Sequence, residues 1–176
     1  SNKPEAYALQ RAENAGIATA VIEHKQYPHR EAFDDVMHQQ LLDWDVDLVV
    51  LAGFMRILSE KFVSAWEGKM INIHPSLLPH YKGMHTHQRV LNTGDQLHGC
   101  TVHYVTAELD AGQALAQGVL KVGSHDSVNS LAQRVHTLEH IIYPQVVEWI
   151  CTQTIQHTDQ GCLLYTSPSP RDRQKS

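Results

Sequence analysis

Asn72 and His74 stand two residues apart in the run Met70-Ile71-Asn72-Ile73-His74-Pro75-Ser76-Leu77-Leu78-Pro79. The run favours β structure, and a strand's side-chain period is two, so both side chains project from one face. Pro75 lacks an N–H and disfavours helical geometry at His74, which ends the strand there. An amide and an imidazole then lie side by side at a strand's C-terminal end, where open α/β sheets hold their ligands. An Asn amide donates to a carbonyl oxygen and to the oxyanion it becomes. A neighbouring imidazolium does the same, then passes its proton to a leaving group. The pair suits acyl or formyl transfer through a tetrahedral intermediate. The same two residue types also serve as a buried polar pair that satisfies loop backbone after a strand.

The elements around this pair follow from patterning. Pro4 suits a first helical turn with Asn2 or Lys3 near the cap, and Ala6, Leu9, Ala12 and Gly16 outline a short helix with a glycine stop. Ile17–Ile22 reads as a strand. Arg30–Trp44 reads as a helix with Phe33, Met37, Leu41 and Trp44 along one face. Asp47–Gly53 is a short apolar run, the mark of a buried parallel strand. Ser59 suits the cap of a brief helix through Trp66, and Lys69–His74 is the next strand. A Pro/Gly-punctuated loop over Pro75–Met84 leads to a short helix over His85–Asn92. Thr101–Thr106 and Ala114–Val122 read as strands joined through the Glu108–Gly112 loop. A long helix starts at Asp126 or Ser127, with Val128, Leu131, Val135 and Leu138 at helical spacing. Pro144 is expected to kink or interrupt it near Tyr143. Alternating helices and strands predict an α/β fold, a mainly parallel sheet flanked by helices.

At 176 residues with 42% hydrophobic side chains the chain makes one domain with a core. A net charge of −5 argues against non-specific nucleic-acid binding and shows no polybasic membrane anchor. No apolar run approaches the length of a bilayer span, and no secretory signal is visible. Cys100, Cys151 and Cys162 show neither metal nor disulfide spacing, so a reducing cytoplasm is the default. The thirteen histidines raise a metal hypothesis, because His85 and His87, or His136 and His140, share a strand or helix face. Neither pair belongs to an HExxH motif and no further ligands complete a set of four, so no metal is expected.

The run from Asn72 to Pro79, followed by Gly83 and by Glu108-Leu109-Asp110, resembles the 10-formyltetrahydrofolate-dependent formyltransferases. Met84-His85-Thr86-His87 and His136-Thr137-Leu138-Glu139-His140 resemble the branch that formylates glycinamide ribonucleotide, and the likeness runs from about Ser1 to about Ile150. The resemblance implies a Rossmann-like sheet, 10-formyltetrahydrofolate as formyl donor and glycinamide ribonucleotide as small-molecule acceptor in purine synthesis. It implies catalytic roles for Asn72, His74 and Asp110. It implies a pterin-binding loop over Met55, Arg56, Ile57 and Leu58, and an opposite folate wall over Thr106, Ala107, Glu108, Leu109 and Asp110. Arg30 matches a family Arg near the folate's benzoylglutamate end, where guanidinium suits carboxylates. Glu139 matches a family contact to the substrate ribose, and His103 a family His lining the site. Each also has an ordinary reading: a βα connection for Met55–Leu58, a solvated helix charge for Arg30 and Glu139, a packed imidazole for His103. Ala111 and Gln113 replace the commoner Gly and Pro after the Asp, which bears on the rigidity of that loop.

A same-fold alternative is a formyltetrahydrofolate deformylase, in which water replaces the amine. The methionyl-tRNA formyltransferases share Ser-Leu-Leu-Pro but continue differently after the loop glycine, and they carry a basic tRNA-binding domain that finds no match in this acidic chain.

Domain expectations place the formyltransferase domain at residues 1–152 and a disordered tail at 153–176. Residues 162–176, beginning Cys-Leu-Leu-Tyr-Thr-Ser-Pro-Ser-Pro-Arg-Asp, resemble a translated sequencing adapter. That segment holds Arg171, Arg173 and Lys175 against Asp172; it contributes +2, and the remainder stands at −7. The start, Ser1-Asn2-Lys3, resembles the family's segment just after its second strand. The expectation is that the first strands and a phosphate-binding loop, on the order of 30 residues, precede it in the gene. A chain without them is expected to be weakly active or inactive and aggregation-prone.

Overall fold

In a computed structural model, which describes residues 1–158 and 161–164, a four-stranded sheet carries helices on both faces. The strands are β1 (Val49–Leu51), β2 (Met70–His74), β3 (Leu97–Tyr104) and β4 (Ala114–Lys121), in spatial order β1-β2-β3-β4. The helices are α1 (Tyr7–Asn14), α2 (Arg30–Asp43), α3 (Glu60–Ala65), α4 (Thr86–Thr93) and α5 (Val128–Cys151). The α/β architecture is the expected one. Within it the strand directions are mixed: β1 and β2 run parallel, whereas β2–β3 and β3–β4 are antiparallel.

Period-two alternation along β2 divides the core. Met70 packs with Val49, Phe62, Val63 and Trp66 on the face covered by α2 and α3. Ile71, its neighbour in sequence, packs with Val102, Tyr104, Tyr143 and Val146 beneath α5. Asn72 and His74 follow the parity of Met70, and His103 sits directly opposite Asn72 on β3. The polar residues therefore continue the α2/α3 face toward the C-terminal end of β2.

Local signals explain most boundaries. Ser59 caps α3 by accepting the Phe62 N–H at 3.3 Å. Ser127 and Ser130 form a reciprocal capping box at the start of α5. α1 ends where Gly16 takes a left-handed conformation (φ +69°) and the Gly16 and Ile17 N–H groups return to the carbonyls of Glu13 and Ala12.

Four expectations are corrected. Ile17–Ile22 is not a strand. A strand needs a ladder partner, and here Ser1 supplies a single rung, donating to Ala20 and accepting from Ile22, both at 2.9 Å. α1 begins at Tyr7 rather than near Pro4, with Ala6 at its cap and no side-chain capping bond. Pro144 does not interrupt α5, which runs from Val128 to Cys151. Tyr143 and Val146 are buried against the sheet on either side of the proline, and the Tyr143 hydroxyl reaches the carbonyls of Leu51 (2.7 Å) and Ile71 (3.1 Å). That anchorage offsets the one backbone bond a proline removes. Finally, the segment expected to be a disordered tail contains an antiparallel pair, β5 (Ile155–Thr158) with β6 (Gly161–Leu164). The rest of that expectation, residues 159–160 and 165–176, lies outside the described residues.

Candidate active site

β2 carries Asn72 and His74 to its C-terminal end, and Pro75 ends the strand as its chemistry requires. His74 is 7% exposed. Its Nε2 stands 3.0 Å from the carbonyl of Tyr81, and its Nδ1 stands 3.4 Å from Oδ2 of Asp110. A carbonyl only accepts, so Nε2 carries a hydrogen, and Nδ1 is the ring nitrogen that faces the carboxylate.

His103 completes the group. Its Nδ1–H donates to the carbonyl of Tyr104 at 2.8 Å, which leaves Nε2 as the acceptor on a neutral ring. Burial pulls the pKa of His103 below the usual histidine value, with the charge on His74 adding to it. The Asn72 amide lies against that Nε2 at 3.4 Å, so its NH2 end faces His103. Oδ1 of Asp110 lies 3.8 Å from the same Nε2. Asn72, His74, His103 and Asp110 therefore form one connected polar group.

Two loops hold Asp110 opposite β2. The Gly83 N–H donates to Asp110 Oδ2 at 2.9 Å, and Lys82 pairs with Glu108 at 2.9 Å. Past Asp110, Gly112 is pressed against β3: a Cβ there would stand 1.7 Å from the Tyr104 carbonyl oxygen. The Tyr104 N–H closes the turn onto the carbonyl of Gln113 at 3.0 Å. The loop is thus tied to β3 despite Ala111 and Gln113.

The 75–81 loop has its own buttress. Thr101 Oγ1 donates to the Ser76 carbonyl (2.7 Å) and accepts from the Leu78 N–H (3.0 Å) and Gln117 Nε2 (2.9 Å). Ser76 Oγ donates to the His80 carbonyl at 2.7 Å. These residues, with Tyr81 and Gly83, position His74 and Asp110, and sequence reasoning missed them. Most act through backbone atoms, whose partners no residue type announces.

The other expected residues fall around this centre. Leu51 is the partner of Asn72 in the β1–β2 register, so the loop leaving β1 emerges beside Asn72. Met55 and Ile57 on that loop are 78% and 67% exposed, Arg56 lies over the Phe33 ring at 5.5 Å, and Leu58 packs into the core. On the loop leaving β3, Thr106 Oγ1 donates to the Glu108 carbonyl at 3.1 Å, Ala107 follows Thr106, and Leu109 is exposed. Arg30 opens α2 and pairs with Glu31 at 3.1 Å.

Glu139 is on α5 and accepts from His136 Nδ1 at 2.7 Å. Among the described residues no hydrogen bond or ion pair joins Glu139 or Arg30 to the Asn72 group. His87 lies within electrostatic reach of both Glu139 and His74. His87 Nδ1 meets His98 Nε2 at 2.9 Å, a pair that the sequence did not suggest, because all residues from His98 to Tyr104 are buried and β3 shows no alternation. Among the described residues no three His, Cys, Asp or Glu side chains gather to hold a metal ion.

The chain that carries this amide, two imidazoles and carboxylate at the C-terminal edge of its sheet matches a known family over most of its length. The formyl transferase family model covers residues 1–147. The chain belongs to the formyl transferase family. Phosphoribosylglycinamide formyltransferase of Escherichia coli strain K12 is 48% identical to this chain over 164 residues, 93% of this chain and 77% of that protein. The human trifunctional purine biosynthetic protein adenosine-3 is 46% identical over 165 residues, 94% of this chain but 16% of that protein. The chain thus spans a small part of the trifunctional relatives and most of the bacterial one. The solved phosphoribosylglycinamide formyltransferase from Coxiella burnetii superposes with a TM-score of 0.88 at 44% identity, covering 98% of this chain and 81% of that one.

Proposed function

We propose that the chain transfers the formyl group of 10-formyltetrahydrofolate to the amine of glycinamide ribonucleotide, giving formylglycinamide ribonucleotide and tetrahydrofolate. The observation that carries this reading is the convergence of Asn72, His74 and Asp110 through His103. In this reading the amine attacks the formyl carbon, and the carbonyl electron pair moves onto oxygen. The second N–H of the Asn72 amide and the proton on His74 Nδ1 donate to that oxygen. The 3.4 Å gap from Nδ1 to Asp110 exceeds the usual ~2.8 Å of a charge-assisted hydrogen bond, so the Nδ1–H is not committed to the carboxylate and is shared with a second acceptor. The Tyr81 carbonyl meanwhile holds Nε2 and the plane of the ring. The attacking nitrogen's surplus proton leaves through water to Asp110. His74 protonates the departing folate nitrogen, the carbon–nitrogen bond breaks, and the formyl carbonyl reforms. Balance requires no metal and no covalent enzyme intermediate.

The roles of the flanking residues belong to the same proposal. Met55, Arg56, Ile57 and Leu58 form one wall of the folate site, Thr106–Asp110 the other, and Arg30 meets the glutamate end. His103 and Glu139 lie on the ribonucleotide side. The reading carries a cytoplasmic location with it; among the described residues no helix is long and apolar enough to cross a membrane.

The test is an assay of the full-length protein that contains this chain, with 10-formyltetrahydrofolate, with and without glycinamide ribonucleotide. Consumption only in the presence of the amine is the expected result. Steady formate release without amine would assign the site to a deformylase, and no turnover of the full-length protein in either arm would overturn the proposal.

A further inference from the structure

Asp34 is a carboxylate on α2 with 2% of its surface exposed, and no role in the chemistry above calls for it. Its Oδ2 accepts the backbone N–H of Ser59 at 2.7 Å, across 25 residues of chain. Burying a carboxylate is costly unless it is hydrogen-bonded, and a charged acceptor makes a stronger bond than a neutral one. The acceptor therefore marks a point that the fold holds firmly.

That point is the end of the loop leaving β1. Residues 52–59 have no regular secondary structure between β1 and α3, and they present Met55 and Ile57 to solvent. Such a loop keeps one shape only if something outside it supplies fixed points. α2 supplies two from adjacent residues. Phe33, 2% exposed, lies beneath the Arg56 guanidinium at 5.5 Å from its ring centroid. Asp34 takes the Ser59 N–H, and Ser59 in turn caps α3. The Phe33 ring is itself packed by Tyr27 at 5.9 Å and His24 at 6.3 Å. Arg56 and Ser59 are thus held on either side of Ile57 by one turn of one helix.

We propose that Asp34 is a positioning residue for folate recognition: by fixing the Ser59 N–H it sets the conformation in which the Met55–Leu58 loop accepts the pterin. This rests on the assignment of that loop to the folate in the proposed function. Asp34 touches neither substrate, and its effect falls on folate affinity through the loop.

The test measures tetrahydrofolate affinity of the chain by calorimetry together with amide hydrogen exchange. Asp34→Ala is expected to weaken tetrahydrofolate binding about tenfold, in line with loss of a bond to a charged group. Exchange should accelerate at residues 53–59 while β2 and β3 keep their protection. Asp34→Asn, which retains an acceptor oxygen, should recover most of the affinity. Accelerated exchange over the whole sheet in Asp34→Ala, with no recovery in Asp34→Asn, would mean a merely structural carboxylate and would overturn the proposal. Met55→Ala separates the underlying assignment: if it weakens binding while Asp34→Ala does not, the positioning role is wrong and the loop assignment stands. If neither variant changes affinity, the loop itself does not bind the folate.

Discussion

Oδ2 of Asp110 lies 3.4 Å from Nδ1 of His74, and both side chains are less than a tenth exposed. Thirty-six positions separate them in sequence. The Gly83 N–H reaches the same carboxylate oxygen at 2.9 Å, so the acid is oriented by backbone on one side and faces the imidazole on the other. In the proposed reaction a carboxylate in that place stabilises a charged imidazole and receives a proton released during acyl transfer.

Removing either partner should therefore strike the transition state. His74→Ala and Asp110→Ala are each expected to lower kcat by about 100-fold or more, with tetrahydrofolate affinity changing only a few-fold. Asn72→Ala should lower kcat by a comparable factor through loss of one oxyanion donor. Steady-state kinetics beside calorimetry separates these effects; a loss confined to folate affinity would contradict the assigned roles.

Gly112 tests how tightly the Asp110 loop is tied down. A methyl group there would stand 1.7 Å from the Tyr104 carbonyl oxygen, so the backbone of one segment must move. Gly112→Ala is expected to shift Asp110 from His74 and to reduce kcat by about 100-fold, the scale of a misplacement near 1 Å. Turnover equal to that of the parent chain would show that the loop relocates without disturbing the acid.

His98 carries a pH signature. It is 1% exposed, and burial, aided by the charges on His87 and His74, pulls its imidazole down to about 4. In the unfolded chain the same ring titrates near the ordinary ~6.5. Between those values the unfolded state binds a proton that the folded state refuses, so stability rises with pH across the window and falls as the solution is acidified. From pH 7 to pH 5 the loss from this residue is about 2 kcal/mol. Urea unfolding at both pH values should show a smaller loss in His98→Asn than in the parent chain. Equal losses would mean that His98 is not held neutral.

Tyr143 joins α5 to the two parallel strands. Tyr143→Phe removes a hydroxyl within reach of the Leu51 and Ile71 carbonyls and should cost about 1 kcal/mol of stability by chemical denaturation. Burial also raises its phenol's pKa well above the ordinary value, so the hydroxyl remains a donor throughout the working pH range. An unchanged midpoint would show that water or ladder bonds replace it.

Much of this arrangement was legible beforehand because its signals are local. The Asn72–His74 alternation and the Pro75 stop are properties of a single strand, and the Ser59 and Ser127 caps are properties of a single helix end. Where reading failed, the deciding contact was distant. Ile17–Ile22 has strand-forming residues but too little ladder, and Pro144 sits in a helix held together by packing on both its sides. The His87–His98 pair joins a helix to a fully buried strand, where no alternation marks which residue faces which layer.

From its sequence alone this protein had its α/β class, its family resemblance and the strand end that holds Asn72 and His74, since each depends on neighbours along the chain. Only the tertiary structure decided that Asp110 and His103 meet that pair, that the Tyr81 carbonyl and Gly83 N–H orient His74 and Asp110, and that Asp34 pins Ser59. Those choices are made by backbone donors and acceptors and by burial. They come into being when separate segments are packed against one another, and no residue type encodes them in advance.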